Sequence, residues 1–455
     1  MSRRPFILAD RAGGRGPPVI RRPQRAHCDR EVAVSRFMLT AVPFTGHVAP
    51  LCAVAAALVA RGHEVRFYSG SAFRGRIEET GSTFVPWSAA PDFDENDLAS
   101  SFPRLVGKKG VGQLLINVVD VFIRTAPAQV SDLMAEWERA PWDAIVGDEV
   151  SVGAVLFAER TGCPRGTFAV LPLNMVGPGG PPSGLGIAPG RNALTKARDA
   201  ALRAAVPLLS RPLRAPLAAA RAAVGLPPSP RTFDQVVFSP RLVVASGSPL
   251  LDYARDDRPA SVHFVGAVQP SPTRPPSLPD WWGELDDRIV VHVTQGTQNI
   301  DPEDLIRPAL EALGDSDVLV VVATGIPGRD VLPFAVPSNA RVAGFLPYAE
   351  LLPRVDVVVT NGGWGGVLAA LSHGIPLVVA GGDLDKPEIA ARVAWAGAGV
   401  NLRTGTPSAA AVGRAVGRIR DEPTFRDAAA RVGADLRGRG GAPRAAELFE
   451  TLPAE

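Results

Sequence analysis

The chain has 455 residues, about three times the ~150-residue prior for one domain, so two domains are the expected organisation. Hydrophobic residues make up 46% and charged residues 21%, an ordinary globular balance that argues against a disordered chain. The 48 basic and 46 acidic side chains leave +2, too little for a strong nucleic-acid footprint, so no nucleic-acid partner is expected. Charge is uneven: nine Arg against Asp10, Asp29 and Glu31 give residues 1–36 a local +6, and residues 37–455 carry −4. Cys28, Cys52 and Cys163 are far apart, with no CxxC or Cys/His ligand spacing, so neither a disulfide framework nor a metal site is expected. No uninterrupted apolar run reaches the ~18 residues of a membrane span. The Arg- and Pro-rich N-terminus lacks the apolar core of a secretory signal, and a cytoplasmic protein is expected. Only Lys108, Lys109, Lys196 and Lys386 are lysines among the basic residues, the usage of a GC-rich bacterial genome.

Residues 1–35 show no helical or strand period and are expected to be a disordered or misannotated extension. From Phe37 the pattern changes. FMLTAV (37–42) is an apolar run, 48–60 an Ala-rich helix, HEVRFYS (63–69) a strand, 73–80 a helix and TFVPW (83–87) a strand. Residues 101–139 are helical in period, DAIVGD (143–148) is a strand, 151–161 a helix and GTFAV (166–170) a strand. A Gly/Pro-rich stretch at 172–190 is too long for a simple connection and is expected to be functional or mobile. VHFVGAV (262–268) precedes the Pro-rich, charge-poor segment 269–282, which reads as an interdomain linker. A second alternating series follows: RIVVHVTQG (288–296), a helix at 302–313, DVLVVVAT (317–324), ARVAGF (340–345), DVVVT (356–360), PLVVAG (376–381) and AGVNL (398–402). Helices are expected at 408–420, 423–437 and 441–451. Continuous Val/Ile runs suit buried parallel strands. The expected architecture is α/β, two doubly wound Rossmann-like domains with parallel sheets facing across a cleft. Their expected spans are 36–268 and 283–438, with residues 439–455 packing back on the first.

Four motifs fall where such sheets bind ligands, at the carboxyl ends of strands. PFTGHVAPL (43–51) places His47 at the first turn, and Asp148 ends a strand on the same edge. A lone His is more often a cap or an exposed side chain, but a carboxylate there can orient an imidazole and stabilise its charged form. VVVTNGGWGGVLAAL (357–371) offers glycines and helix-start N–H groups suited to a diphosphate, or simply a tight strand–helix turn. PLVVAGGDLDKPE (376–388) crowds Asp383, Asp385, Lys386 and Glu388 into one loop, fit for a polyol or for an acidic first helical turn. VTQGTQN (293–299) brings Gly296 and Thr297 to a turn opposite. No P-loop and no G-x-G-x-x-G after the first strand is present. His63, His263, His292 and His373 are read as structural.

At these residues the chain resembles the family-1 glycosyltransferases of the GT-B fold, most of all the bacterial macrolide and aromatic-polyketide branch. The resemblance runs from about Phe37 to Leu452 and is densest in ARVAGFLPYAELLPRVDVVVTNGGWGGVLAALSHGIPLVV. It implies inverting transfer of a sugar from a UDP- or dTDP-sugar to a hydroxyl of an apolar small-molecule acceptor. The nucleotide sugar is then a substrate, with no metal and no cofactor. His47 matches the catalytic base and Asp148 the acid that pairs with it. Phe345 matches the aromatic that stacks on the base, Gly296 and Thr297 the turn at the diphosphate, and Asp385 the sugar contact. Asn361, Gly362, Gly363, Trp364, Gly365, Gly366 and Lys386 complete the implied nucleotide-sugar site. Asn361 stands where the family commonly has His, Gly366 where Ser or Thr closes the loop, Lys386 where Gln follows the acid, and Ala369 in place of a ribose-binding Glu. Phosphate binding would then rest on backbone N–H groups. The acceptor would lie against parts of 84–125 and the loop 172–190. A silent nucleotide-sugar-binding helper of the same fold is the alternative; a hexosamine-lipid transferase, a sugar-nucleotide epimerase and a dinucleotide oxidoreductase are more distant rivals.

Overall fold

The computed structural model describes residues 34–453, apart from 109, 176–178, 254–256, 270–277, 297–300 and 327. Residues 1–33 of the expected extension 1–35 and most of the linker 269–282 therefore lie outside the described residues, as does Thr297. The described chain belongs to one compact unit, Ser35–Glu455, built on two parallel sheets. The first holds β1 (Arg36–Thr40), β2 (Glu64–Ser69), β3 (Thr83–Pro86), β4 (Ala144–Asp148), β5 (Arg165–Ala169), β6 (Val243–Ala245) and β7 (Val262–Phe264) in the order 3-2-1-4-5-6-7. The second holds β8 (Val290–Thr294), β9 (Leu319–Ala323), β10 (Ala340–Ala343), β11 (Val357–Thr360), β12 (Leu377–Val379) and β13 (Gly399–Asn401) in the order 10-9-8-11-12-13. Every residue of β4, β8, β9, β11 and β12 is buried, because helices cover both faces of each sheet.

Each sheet reverses its strand order once, between β1 and β4 and between β8 and β11. Neighbouring connections diverge there and open a crevice at the carboxyl edge. His47 follows β1 and Asp148 closes β4; Gly296 follows β8, and the Asn361–Gly366 turn follows β11. Both sets of motif residues thus sit at a switch point. The helix after β1 spans Thr45–Ala60, three residues longer at its start than its Ala-rich pattern indicates, so His47 stands in its first turn. Glu95 makes that start possible: its carboxylate accepts the Thr45 N–H at 2.9 Å and the Thr45 hydroxyl. A negative group at a helix N-terminus offsets the dipole and satisfies an orphan donor.

The helical stretch Gly112–Arg139 is long and apolar enough by composition to cross a membrane, although no uninterrupted apolar run signals it. More than half of its most apolar window lies inside the fold. Asp120 within it binds Arg104 and Arg124 at 2.8 Å, as suits a core helix of the first half. A π-helical segment, Asn117–Ile123, interrupts it and carries Phe122 to within 6.4 Å of the Phe44 ring.

The helix Gly441–Phe449 leaves the second half and packs on helix Thr45–Ala60, seating Phe449 and Leu452 in the core of the first sheet. Gly166 on β5 makes room for them, since a Cβ there would lie 2.9 Å from Leu452. Glu450 then accepts from Arg61 Nε at 2.5 Å and His63 Nε2 at 2.8 Å, which occupies His63 structurally.

Candidate active site

His47 Nδ1 lies 3.0 Å from Asp148 Oδ2. Asp148 is fully buried and also accepts the N–H groups of Val42 (3.1 Å) and Val150 (2.9 Å), which fix its orientation. A carboxylate can only accept, so Nδ1 carries the hydrogen and Nε2 keeps its lone pair. Burial of the imidazole, 13% exposed, pulls its pKa down, but the charge and hydrogen bond of Asp148 outweigh this and the pKa is raised. Phe44 lies 6.0 Å from the imidazole and packs with Phe93 (5.4 Å) and Phe122, an aromatic wall beside the base.

Glu149, not singled out by its sequence, is buried next to this pair. It accepts the N–H groups of Val170 (2.9 Å) and Leu171 (2.7 Å), and burial lifts its pKa to about 7. The only signal in the chain is the consecutive acids of GDEV at a strand end.

Across the cleft, Asp385 stands at the N-cap position of helix Lys386–Trp395 without a side-chain capping bond. Burial raises its pKa, Lys386 opposes that shift, and Asp385 and His47 lie within reach of each other's charge. Leu384 beside Asp385 has φ +52°, a left-handed conformation uncommon for a branched side chain and typical of a constrained site.

At the start of helix Trp364–Ser372 the hydrogen-bond ladder begins with Val367 N–H to Gly363 O at 3.0 Å, so the N–H groups of Trp364, Gly365 and Gly366 precede it. Gly362 has φ +95°, and a Cβ would lie 2.8 Å from Val379 Cγ1; only glycine fits this turn. Phe345, just after β10, is 62% exposed, a large aromatic held in solvent.

The side-chain geometry shows how several of the implied residues are held. Trp364 is 5% exposed and turns away from the helix start: its indole N–H donates to Ser246 Oγ at 3.2 Å and its ring covers Gly247, so only its backbone is offered to a ligand. Gly362 N–H is taken by Thr360 Oγ1 at 3.1 Å. Gly296, with φ +71°, likewise donates its N–H to Thr294 Oγ1 at 3.3 Å. Asn361 directs Nδ2 to the Gln295 carbonyl and ties the two turns together, while its buried Oδ1 has no hydrogen-bond partner among the described residues. Lys386, 6% exposed, gives its ammonium to Asp383 at 3.1 Å instead of extending it into the loop. Glu388 is buried in an ion-pair group with Arg392 and does not join Asp385 at the loop surface. His292 is buried between Val321 O (2.9 Å) and Tyr348 Oη (3.1 Å), and burial lowers its pKa to about 4, so it stays neutral.

Two doubly wound sheets meeting at their switch points, one bearing an oriented imidazole and the other a glycine-rich helix start, make up the GT-B class of fold. A family model described as "Erythromycin biosynthesis protein CIII-like, C-terminal domain" matches residues 307–453. The chain is 41% identical over 424 residues to 4'-demethylrebeccamycin synthase of Lentzea aerocolonigenes, covering 92% of this chain and 99% of that protein. It is 32% identical to UDP-glucosyltransferase B1 of Starmerella bombicola, covering 87% and 93%. Among solved structures, the kitacinnamycin glycotransferase superposes with a TM-score of 0.72 at 22% identity, covering 92% and 99% of the two chains. VinC in complex with dTDP gives 0.65 at 20%, covering 92% and 100%. The chain belongs to this family of natural-product glycosyltransferases and is a glycosyltransferase.

Proposed function

We propose that the chain transfers a sugar, with inversion, from a UDP- or dTDP-sugar to a hydroxyl of an apolar small molecule such as a polyketide, macrolide or phenol. The observation that carries this reading is the His47–Asp148 contact of 3.0 Å at the carboxyl edge of the first sheet.

In this mechanism His47 Nε2 takes the proton of the acceptor hydroxyl as the oxygen attacks the anomeric carbon. The bond from that carbon to the diphosphate breaks on the opposite face, and its electron pair leaves with the nucleoside diphosphate. Asp148 stabilises the imidazolium that forms. The N–H groups at the start of helix Trp364–Ser372, with the helix dipole, meet the charge developing on the diphosphate. Phe345 stacks on the base and Asp385 accepts hydrogen bonds from sugar hydroxyls. The aromatic wall of Phe44, Phe93 and Phe122 favours a flat or apolar acceptor beside His47. The dTDP in the VinC structure supports a nucleoside-diphosphate donor.

The test incubates the protein with UDP- and dTDP-sugars and apolar acceptors, isolates product and reads the anomeric proton coupling by NMR. Product with the anomeric configuration opposite to the donor's supports the reading. Retained configuration, or transfer only to polar acceptors, contradicts it.

A further inference from the structure

The long loop 172–190 is described at 172–175 and 179–190, and its second part rests on the start of helix Lys386–Trp395. Gly184 and Gly186 both donate their N–H groups to Glu388 Oε2, at 3.1 and 3.0 Å. Gly186 has φ +65°, and a Cβ there would lie 2.9 Å from the carbonyl carbon, oxygen and Cβ of Pro387, so the loop backbone rests directly on the helix start. Glu388 is 2% exposed; its other oxygen accepts from Arg392 Nε at 3.0 Å. Arg392, also 2% exposed, reaches back to Asp252 Oδ1 at 2.5 Å and the Leu173 carbonyl at 3.1 Å, both on the first half. Arg258 donates to the second oxygen of Asp252 at 2.8 Å.

A buried carboxylate persists when its charge is paired and its lone pairs are filled, and Glu388 meets both conditions only while the loop is seated. One end of the loop is held at Leu173 and its crest at Gly184–Gly186 by the same ion-pair group. Its seat adjoins Pro387, two residues past Asp385. We infer that Glu388 is a positioning residue: it clamps Gly184–Gly186 onto the donor helix and thereby closes the sugar subsite against water. This rests on the reading of Asp385 as the sugar contact. With the loop unseated, a water oxygen takes the acceptor's place at the anomeric carbon, the bond to diphosphate breaks as before, and free sugar and nucleoside diphosphate result.

Two variants test the clamp. Glu388→Ala removes the acceptor of both N–H groups but leaves Arg392 without that partner. Gly186→Ala unseats the loop by collision with Pro387 while leaving the buried ion pairs untouched. The readouts are the ratio of donor hydrolysis to sugar transfer and the rate of trypsin cleavage after Arg191, which follows the loop. Both variants are expected to raise the ratio by about fivefold or more and to speed the cleavage. An unchanged ratio and unchanged cleavage in Gly186→Ala overturn the clamp, even if Glu388→Ala melts earlier. If the wild type transfers sugar to nothing, the reading of the site fails. The cleavage rates then judge the loop alone: faster in Gly186→Ala keeps the contact, equal rates remove it.

Discussion

His47 takes its properties from its neighbours. Burial alone disfavours its cation, and Asp148 reverses the sign. A base must be neutral to accept a proton, so the rate climbs as pH rises through this raised pKa. The linked stability runs the other way: the charged pair adds stability below the ordinary range of histidine and loses it as pH passes the folded-state value. Glu149 contributes to the raised pKa through its charge. Glu149→Gln is expected to move the acid limb of the pH profile of kcat/KM to lower pH; an unmoved limb shows that Glu149 serves only the loop at Val170 and Leu171. Phe345→Ala removes an exposed ring with no core role, and base stacking is worth about 1–3 kcal/mol. Calorimetry should show UDP or dTDP binding about tenfold weaker with an unchanged melting temperature. The paired acid Asp148 was legible because it ends an apolar strand on the same edge as His47. The directions of Trp364, Asn361 and Lys386 were not, because each is set by a partner distant in sequence or by a turn conformation: Ser246, the Gln295 carbonyl and the Asp383 loop.

The strands were readable because burial on both faces demands unbroken Val and Ile runs, as in VLVVVA and DVVVT. Helix limits were less so. Helix Thr45–Ala60 begins early because Glu95 caps it from a separate loop, and the expected helix at 302–313 shortens to Ile306–Leu313. The π segment at Asn117–Ile123 has no period of its own to announce it. The turn before helix Trp364–Ser372 is the most demanding of these connections. Gly362→Ala forces a side chain into a left-handed residue 2.8 Å from Val379. We expect a loss of about 1–3 kcal/mol in chemical denaturation, with weaker nucleotide-sugar binding as the helix start shifts. Unchanged stability would mean the turn relaxes freely.

Between the two halves the contacts are both apolar and ionic. Trp364 lies over Gly247, the Arg392 group bridges helix Lys386–Trp395 to Asp252, and helix Gly441–Phe449 returns to the first sheet. Arg392→Met leaves Glu388 and Asp252 buried without this cation, a change that typically costs about 3–5 kcal/mol. Urea unfolding should show that loss; a cost under about 1 kcal/mol would mean water enters to solvate the acids. The two-sheet plan was legible from two alternating series separated by a Pro-rich segment. The ion-pair bridge was not, since nothing beside Arg392 in sequence points to Asp252, 140 positions away.

The central claim is that His47, held by Asp148, removes the acceptor proton. Its most direct measurement is the rate of sugar transfer, read as product mass, for wild type and His47→Ala on the same donor and hydroxyl acceptor above the His47 pKa. General-base help of this kind is worth about 10²–10⁴ in rate, so the variant should fall by that factor while still binding the nucleotide sugar. A variant that transfers within a few-fold of wild type would contradict the account and put the base elsewhere.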